Sequence, residues 1–204
     1  MTRIAGLTGA TLPTAPTVCH DCIWWQSKTG RDADKRKWIA GTEEEWGAWG
    51  TVYYDDDGRL LGSMQYGPSD LFPRAAELPA GPPSDDAVLV TCAYLTDPSR
   101  PWVMQSLFLT AIGDSREKGA RALEAFAYRY PESDRGSDRF RVHKTIFPSD
   151  FLTDFGFVTL RAQGRVELAR LELGGLVPVV EGRRERVLRV VRDAFLPAPA
   201  PQRP

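Results

Sequence analysis

Residues 87–95, "AVLVTCAYL", are apolar almost without a break and rich in β-branched side chains. A strand with one wet face alternates polar and apolar residues, so this stretch reads as a strand buried on both faces. The next stretch, "DPSRPWVMQSLFLTAIGDSREKGARALEAF" at 97–126, narrows the fold further. Ser99 is placed to cap a helix that takes Pro101 in its first turn. Met104, Phe108, Ala111 and Ile112 recur at helical spacing. Charge arrives late, in "DSREKG", and Gly119 offers a left-handed stop. Residues 120–130 then read as a second strand. Strand, helix and strand of these lengths imply a parallel, right-handed crossover. Many nucleotide-type cofactors are held at such a crossover, yet this turn lacks the glycines that let backbone amides close on a phosphate.

The rest of the chain supplies hairpins and short helices. Residues 1–17 are small, polar and dotted with proline, which predicts a flexible arm. "CIWWQS" (22–27) reads as a short aromatic strand. Residues 30–50 predict a solvated helical segment, with Lys35, Lys37, Glu43, Glu44 and Glu45 outward and Trp38 and Ile39 inward. Residues 50–68 form a hairpin pattern around "DDDG". Residues 68–86 carry five prolines, at 68, 73, 79, 82 and 83, too many for a continuous helix or a central strand. Such a segment is either a wall or lid of a site, or a passive surface excursion. Residues 131–141 are a polar loop. Residues 147–157 predict a short helix, capped by Ser149 or Asp150 and ended by Gly156. Residues 157–175 form a second hairpin around "AQG". Val166 and Leu168 share one face of its return strand while Leu171 and Leu173 share the other, and a bulge near Ala169 reconciles them. Residues 181–196 read as a basic amphipathic helix, with its arginines on a solvated face, and 197–204 as a disordered tail.

Composition limits the function classes. The 204 residues suit one α/β domain with modest extensions. With 26 basic and 27 acidic residues, the chain has no basic excess for nucleic acid or an anionic membrane. No apolar run approaches the ~20 residues of a membrane span, and the first residues lack a signal-peptide core. The expectation is a soluble, cytoplasmic protein. Three cysteines, Cys19, Cys22 and Cys92, do not make a secreted disulfide framework. "CHDC" as a zinc site needs a second ligand pair, and only the distant Cys92 and His143 remain. As a redox motif it needs a thioredoxin-like strand and helix around it. The plainer reading packs both cysteines beside Ile23, Trp24 and Trp25, and no metal is expected.

Several stretches together resemble the GNAT superfamily of acyl-CoA-dependent N-acetyltransferases. "DAVLVTCAYLTDPSRP" looks like that family's fourth strand entering its pyrophosphate loop. "LFLTAIGDSREKGARALEAFA" looks like its central helix and fifth strand. "FPSDFLTDFGFVTL" is similar to its short helix running through Gly-Phe into the sixth strand. "CHDCIWW" followed by "WGTVYYDDDGRLLGSMQYGP" resembles the opening of an actinobacterial-type subgroup. The resemblance spans residues 18–173 and lies in order and spacing more than in any one motif.

It implies an α/β (α+β) fold: a mixed, mainly antiparallel sheet with helices on both faces. The domain would cover 18–175, with the arm at 1–17, the terminal helix at 176–196 and the tail after it. In the family, strands four and five splay apart and the pantetheine arm of acetyl-CoA, the co-substrate, pairs with the open edge of strand four. Here that edge is Thr91, Cys92, Ala93, Tyr94 and Leu95. The pyrophosphate would meet Arg100 and the helix start at Trp102, Val103, Met104, Gln105 and Ser106. Two glycine positions of the family pattern fall at Val103 and Gln105, and Pro101 removes one amide donor. A tyrosine that protonates the leaving thiolate in many members is replaced by Leu152. Tyr94, Tyr128, His143 and Cys92 are then substitute acids by chemistry alone, Tyr94 being the tyrosine on the strand edge, and Glu124 is the candidate base, if its carboxylate faces the cleft rather than solvent. The implied partner is a small-molecule or peptide amine, with room for a homodimer. The rival reading is a catalytically degenerate GNAT-like binding or regulatory module.

Overall fold

The computed structural model describes residues 3–97, 99–131 and 143–174. The expectations for the loop 131–141 beyond its first residue, the terminal helix 181–196 and the tail 197–204 lie outside them. In chain order the elements are β1 (Arg3–Gly6), α1 (Thr17–His20), α2 (Lys35–Glu45), β2 (Gly50–Tyr54), β3 (Leu60–Pro68), β4 (Ala87–Leu95), α3 (Pro101–Glu117) and β5 (Ala122–Tyr128). After these come β6 (His143–Lys144), β7 (Phe147–Pro148), α4 (Ser149–Asp154), β8 (Val158–Gln163) and β9 (Val166–Glu172).

The strands join one sheet in the order β1-β2-β3-β4-β5-β9-β8, with β6 against β4 and β7 against β5. The β4–β5 and β5–β7 pairs are parallel, and the remaining pairs are antiparallel. This is the mixed, mainly antiparallel architecture expected. Helices cover both faces. On β2, Tyr53 meets Trp102 of α3 (ring centroids 5.7 Å apart), while its neighbours Val52 and Tyr54 join a cluster on the opposite face with Leu7, Trp49 and α2's Trp38 and Ile39. Alternation along one strand thus serves two cores.

The crossover is as the sequence predicts: β4 pairs with β5 in parallel, and Gly119 ends α3 at φ +82°. The cap differs. Arg100, not Ser99, is the N-cap residue, and its side chain makes no capping bond. Ser99 Oγ instead donates to Asp97 Oδ1 at 2.6 Å. The short helix α4 likewise begins after Pro148 without a side-chain cap. The bulge of the second hairpin lies on β8, between Thr159 and Arg161, opposite Ala169 and Leu168.

Two further expectations fail. Residues 3–6 are the edge strand β1, and Leu7, Leu12 and Ala15 are buried, so residues 3–17 are not a loose arm. Four residues, "RIAG", are too few to show an alternating pattern, and their order comes from the β2 ladder. Residues 22–27 are a turn rather than a strand. Trp24 and Trp25 pack edge-to-face at 4.7 Å, and Trp25 stacks on Phe126 at 6.0 Å.

The proline-rich segment is a structural wall. Two 3-10 turns, Ser69–Leu71 and Pro73–Ala76, bury Phe72 and Ala75 against Trp25, Leu89, Phe126 and Leu168. Trp38 Nε1 donates to Leu71 O at 2.8 Å, tying α2 to it.

Candidate functional site

The site begins where two strands part. The β4–β5 ladder runs from Ala87–Ala122 to Val90–Ala125 and stops. Beyond it β4 keeps β3 on one side: Gln65 faces Cys92, Met64 faces Ala93, Ser63 faces Tyr94 and Gly62 faces Leu95. On the other side backbone groups need new partners. The chain itself supplies some. β6 pairs antiparallel with Ala93 and Tyr94, the chain bends through Thr145 and Ile146, and β7 pairs in parallel with Ala127 and Tyr128 of β5. A narrow wedge of backbone therefore stands in the seam expected for pantetheine.

A pocket of about 500 Å³, counting its open mouth, lies beside the wedge on the face away from α3. Ser63, Gln65, Cys92 and Tyr94 form its floor, and Thr145 of the bend is part of its wall. Cys19, Cys22, Trp25, Gln26 and Lys35 close the other side. Asp34 positions Lys35 by capping α2, accepting from the amides of Arg36 (2.9 Å) and Lys37 (3.2 Å). The Lys35 ammonium sits over the rings of Trp38 (4.7 Å) and Trp49 (5.1 Å). Burial lowers its pKa from the usual lysine value. Burial pushes the Cys92 thiol up to about 12 and raises that of Cys19 too, so both are protonated at neutral pH. Cys92 Sγ donates to Gln65 Oε1 at 3.3 Å.

Of the residues expected on the strand edge, Cys92, Ala93 and Tyr94 line this pocket. Thr91 is buried and does not line it; its hydroxyl donates to the Gln65 carbonyl at 3.1 Å. Leu95 is buried and paired with Gly62. At the helix start, Val103 and Met104 point into the core and Trp102 is 42% exposed. Gln105 is half-buried, and the Ser106 hydroxyl donates back to Trp102 O at 2.9 Å. Arg100 pairs with Asp97 at 3.2 Å. Asp97 also accepts from the Ser99 amide at 2.9 Å, and the Ser99 hydroxyl and amide hold its carboxyl below the usual range. The turn thus carries its own anion on groups that a pyrophosphate would use. The β4 edge suits a pantetheine arm only where β6 gives way at Ala93 and Tyr94, and this turn fits a pyrophosphate poorly.

Glu124 is placed away from the cleft. It is 0% exposed and lies below the parting point, where its register partner is Leu89. Its carboxylate accepts from the Ser84 amide (2.8 Å) and from Arg170 Nη1 (3.0 Å), its cross-strand partner on β9. The same guanidinium bonds Asp86 at 2.9 and 3.1 Å. Two residues further along β5, Phe126 stacks on Trp25 of the pocket lining, and Glu124 itself is not part of that lining. An ion pair has claimed the expected base. Leu152 is core, 1% exposed.

Lys35, Gln26 and Gln65 carry no mark of a site in the sequence. The charged run around Lys35 reads as solvent-facing, and the pull of Trp49, fourteen residues on, leaves no mark in it. Among the described residues no group of three or more His, Cys, Asp and Glu is arranged to hold a metal ion, and no helix is long and apolar enough to cross a membrane.

No protein-family model matches the sequence, and no curated protein matches it. Solved structures of similar outline include the PaiA N-acetyltransferase of Thermoplasma acidophilum in complex with coenzyme A. It is 13% identical, covers 84% of this chain and 99% of its own, and has a TM-score of 0.48. An N-acetyltransferase of Staphylococcus aureus Mu50 is 16% identical over 85% of this chain and 99% of its own, with a TM-score of 0.47. The ribosomal-protein-S18-alanine N-acetyltransferase of Escherichia coli is 11% identical over 85% and 94%, with a TM-score of 0.46. At these values the description of the fold rests on the chain's own strand pairing.

Proposed function

We propose that the chain is a GNAT-type acyltransferase that moves an acetyl group from acetyl-CoA to an amine. The observation that carries this is the parting of β4 from β5 after Val90, with a pocket opening on Cys92, Ala93 and Tyr94 at that point. The amine enters from the pocket and the thioester from the seam. Its nitrogen attacks the thioester carbonyl, the C–N bond forms, and a backbone N–H of β4 bonds the oxyanion. When the C–S bond breaks, the Tyr94 phenol protonates the leaving thiolate and regains a proton from the attacking nitrogen through water. For acetyl-CoA to dock, the pantetheine amides replace β6 on Ala93 and Tyr94, exchanging one short ladder for another.

A second reading, a binding module without catalysis, is favoured by Asp97 occupying the Ser99 amide, by Pro101 and by the buried Leu152. Isothermal titration with acetyl-CoA, followed by a thiol-release assay over an amine panel, tests the two. Saturable binding and acceptor-dependent thiol release support the transferase. Absence of binding by folded protein, or binding without release on any amine, overturns it in favour of the module.

A further inference from the structure

The residues around the pocket over β3 and β4 carry several donors that have nothing to bond. Four of its lining residues end in buried N–H groups without a partner: Nε1 of Trp25 and Trp49, and Nε2 of Gln26 and Gln65. Gln26 and Gln65 are only 5% and 6% exposed. Buried donors are almost always paired, so four orphans in one lining need a cause. The Cys92 thiol engages Gln65 Oε1, which leaves the nitrogen as the unspent end of that amide. Among the described residues Lys35 is the one charged residue of the lining, and it makes no ion pair with any of them. The acidic side chain whose field reaches it is Asp21, which is exposed.

These features select a ligand. A cation would meet the Lys35 ammonium. An apolar ligand would leave the four donors unsatisfied. A carboxylate is acceptor-only, with about four lone-pair sites, and its single charge matches a single lysine. We propose that this pocket binds a small carboxylate, received by Lys35 and the side-chain amides of Gln26 and Gln65. On the transferase reading above, the acceptor amine is then carried by a carboxylate-bearing molecule of the amino-acid class. The binding half of the proposal stands without that reading.

The test uses the full chain without acyl-CoA. Indole N–H signals of Trp25 and Trp49 and the side-chain amide signals of Gln26 and Gln65 are followed by ¹H–¹⁵N NMR. Propionate, propionamide, propylamine and inorganic phosphate are titrated separately, then glycine and ethylamine. Propionate and glycine are expected to shift these signals saturably, and Lys35→Met to weaken that binding by about tenfold or more, as for one lost charge-assisted hydrogen bond. Equal or tighter binding of propylamine, displacement by phosphate, or unmoved indole signals with wild-type protein would overturn the proposal. The wild-type panel stands even if the variant does not fold. In a companion assay with acetyl-CoA, turnover of ethylamine as good as that of glycine sinks the acceptor class alone. Carboxylate binding without any turnover sinks the transferase alone.

Discussion

The two halves of the β4–β5 seam are built on opposite rules. Below Val90 the strands pair in register, both faces are apolar, and the polar groups present satisfy one another: Glu124, Arg170, Asp86 and the Ser84 amide form one network. Above Val90 the strands separate, a two-residue strand patches the exposed edge, and residues lining the adjoining pocket carry buried donors without acceptors. The lower half is complete without a ligand; the upper half is not. Buried polar groups stabilise when fully satisfied and are costly otherwise, so the contrast separates scaffold from site.

The largest test removes the support of the lower half. Arg170→Met leaves the Glu124 carboxylate, 0% exposed, without its charged partner. Breaking a buried pair this way costs about 3–5 kcal/mol, to be read from the urea midpoint. The double variant with Glu124→Gln should recover part of the loss, because the stranded charge goes too. A loss under about 1 kcal/mol would mean that the lower half does not depend on this network. The acid side has a definite sign. Hydrogen bonding to Arg170 lowers the Asp86 pKa, so Asp86 stabilises the fold above its unfolded value, about 3.9, and that stability is lost as pH falls through the lowered one. Arg170→Met should flatten that part of the acid unfolding curve.

The same division explains what the sequence could and could not reveal. The lower half is legible because it is made of local pattern: an apolar run for β4, helical spacing for α3, Gly119 as a stop. The hairpin of β2 and β3 is legible for the same reason. Glu124 was visible as a carboxylate on β5, but its partner is 46 residues away on β9, and only the pairing register brings them face to face. Lys35 sits in a run of charge, and the rings that hold it belong to Trp38 and Trp49. The aromatic pair Trp24–Trp25 has strand-like chemistry but lies in a turn, because tertiary packing on Phe126 outweighs local propensity. The parting itself has no residue signature. It follows physically from where β5 changes partners, from β4 to β7.

In the upper half, Tyr94→Phe separates chemistry from support. Tyr94 is a half-buried residue of the pocket lining, so loss of its hydroxyl should change stability by no more than about 0.5 kcal/mol. Turnover should fall by about a hundredfold, the lower end for a positioned acid, with acetyl-CoA affinity near that of the wild type. A rate within about twofold of the wild type would remove Tyr94 from the mechanism.

A gentler perturbation links the halves. Gly62 faces Leu95 on β3, and a Cβ there would stand 2.7 Å from the Tyr94 carbonyl and 3.0 Å from Val103 Cγ1. Gly62→Ala must therefore push β4 or α3 aside, costing about 1–3 kcal/mol. The shift falls on the upper half, so the indole signals of Trp25 and Trp49 should move while the Glu124–Arg170 network stays intact. Loss of that network instead would show that the two halves unfold as one unit.

The smallest expected difference lies in the intact protein. Val90 lies within ladders to both β3 and β5, whereas Ala93 and Tyr94 have β3 on one side and the two residues of β6 on the other. Short ladders open more readily than long ones, so edge amides in the upper half should exchange with solvent about tenfold faster than their counterparts in the lower half. If acetyl-CoA replaces β6, the exchange at Ala93 and Tyr94 should slow on its addition, while Leu89 and Val90 stay unchanged. Uniform slowing along all of β4 would report general stabilisation by binding elsewhere, and no change at saturating ligand would leave β6 as the permanent partner of that edge.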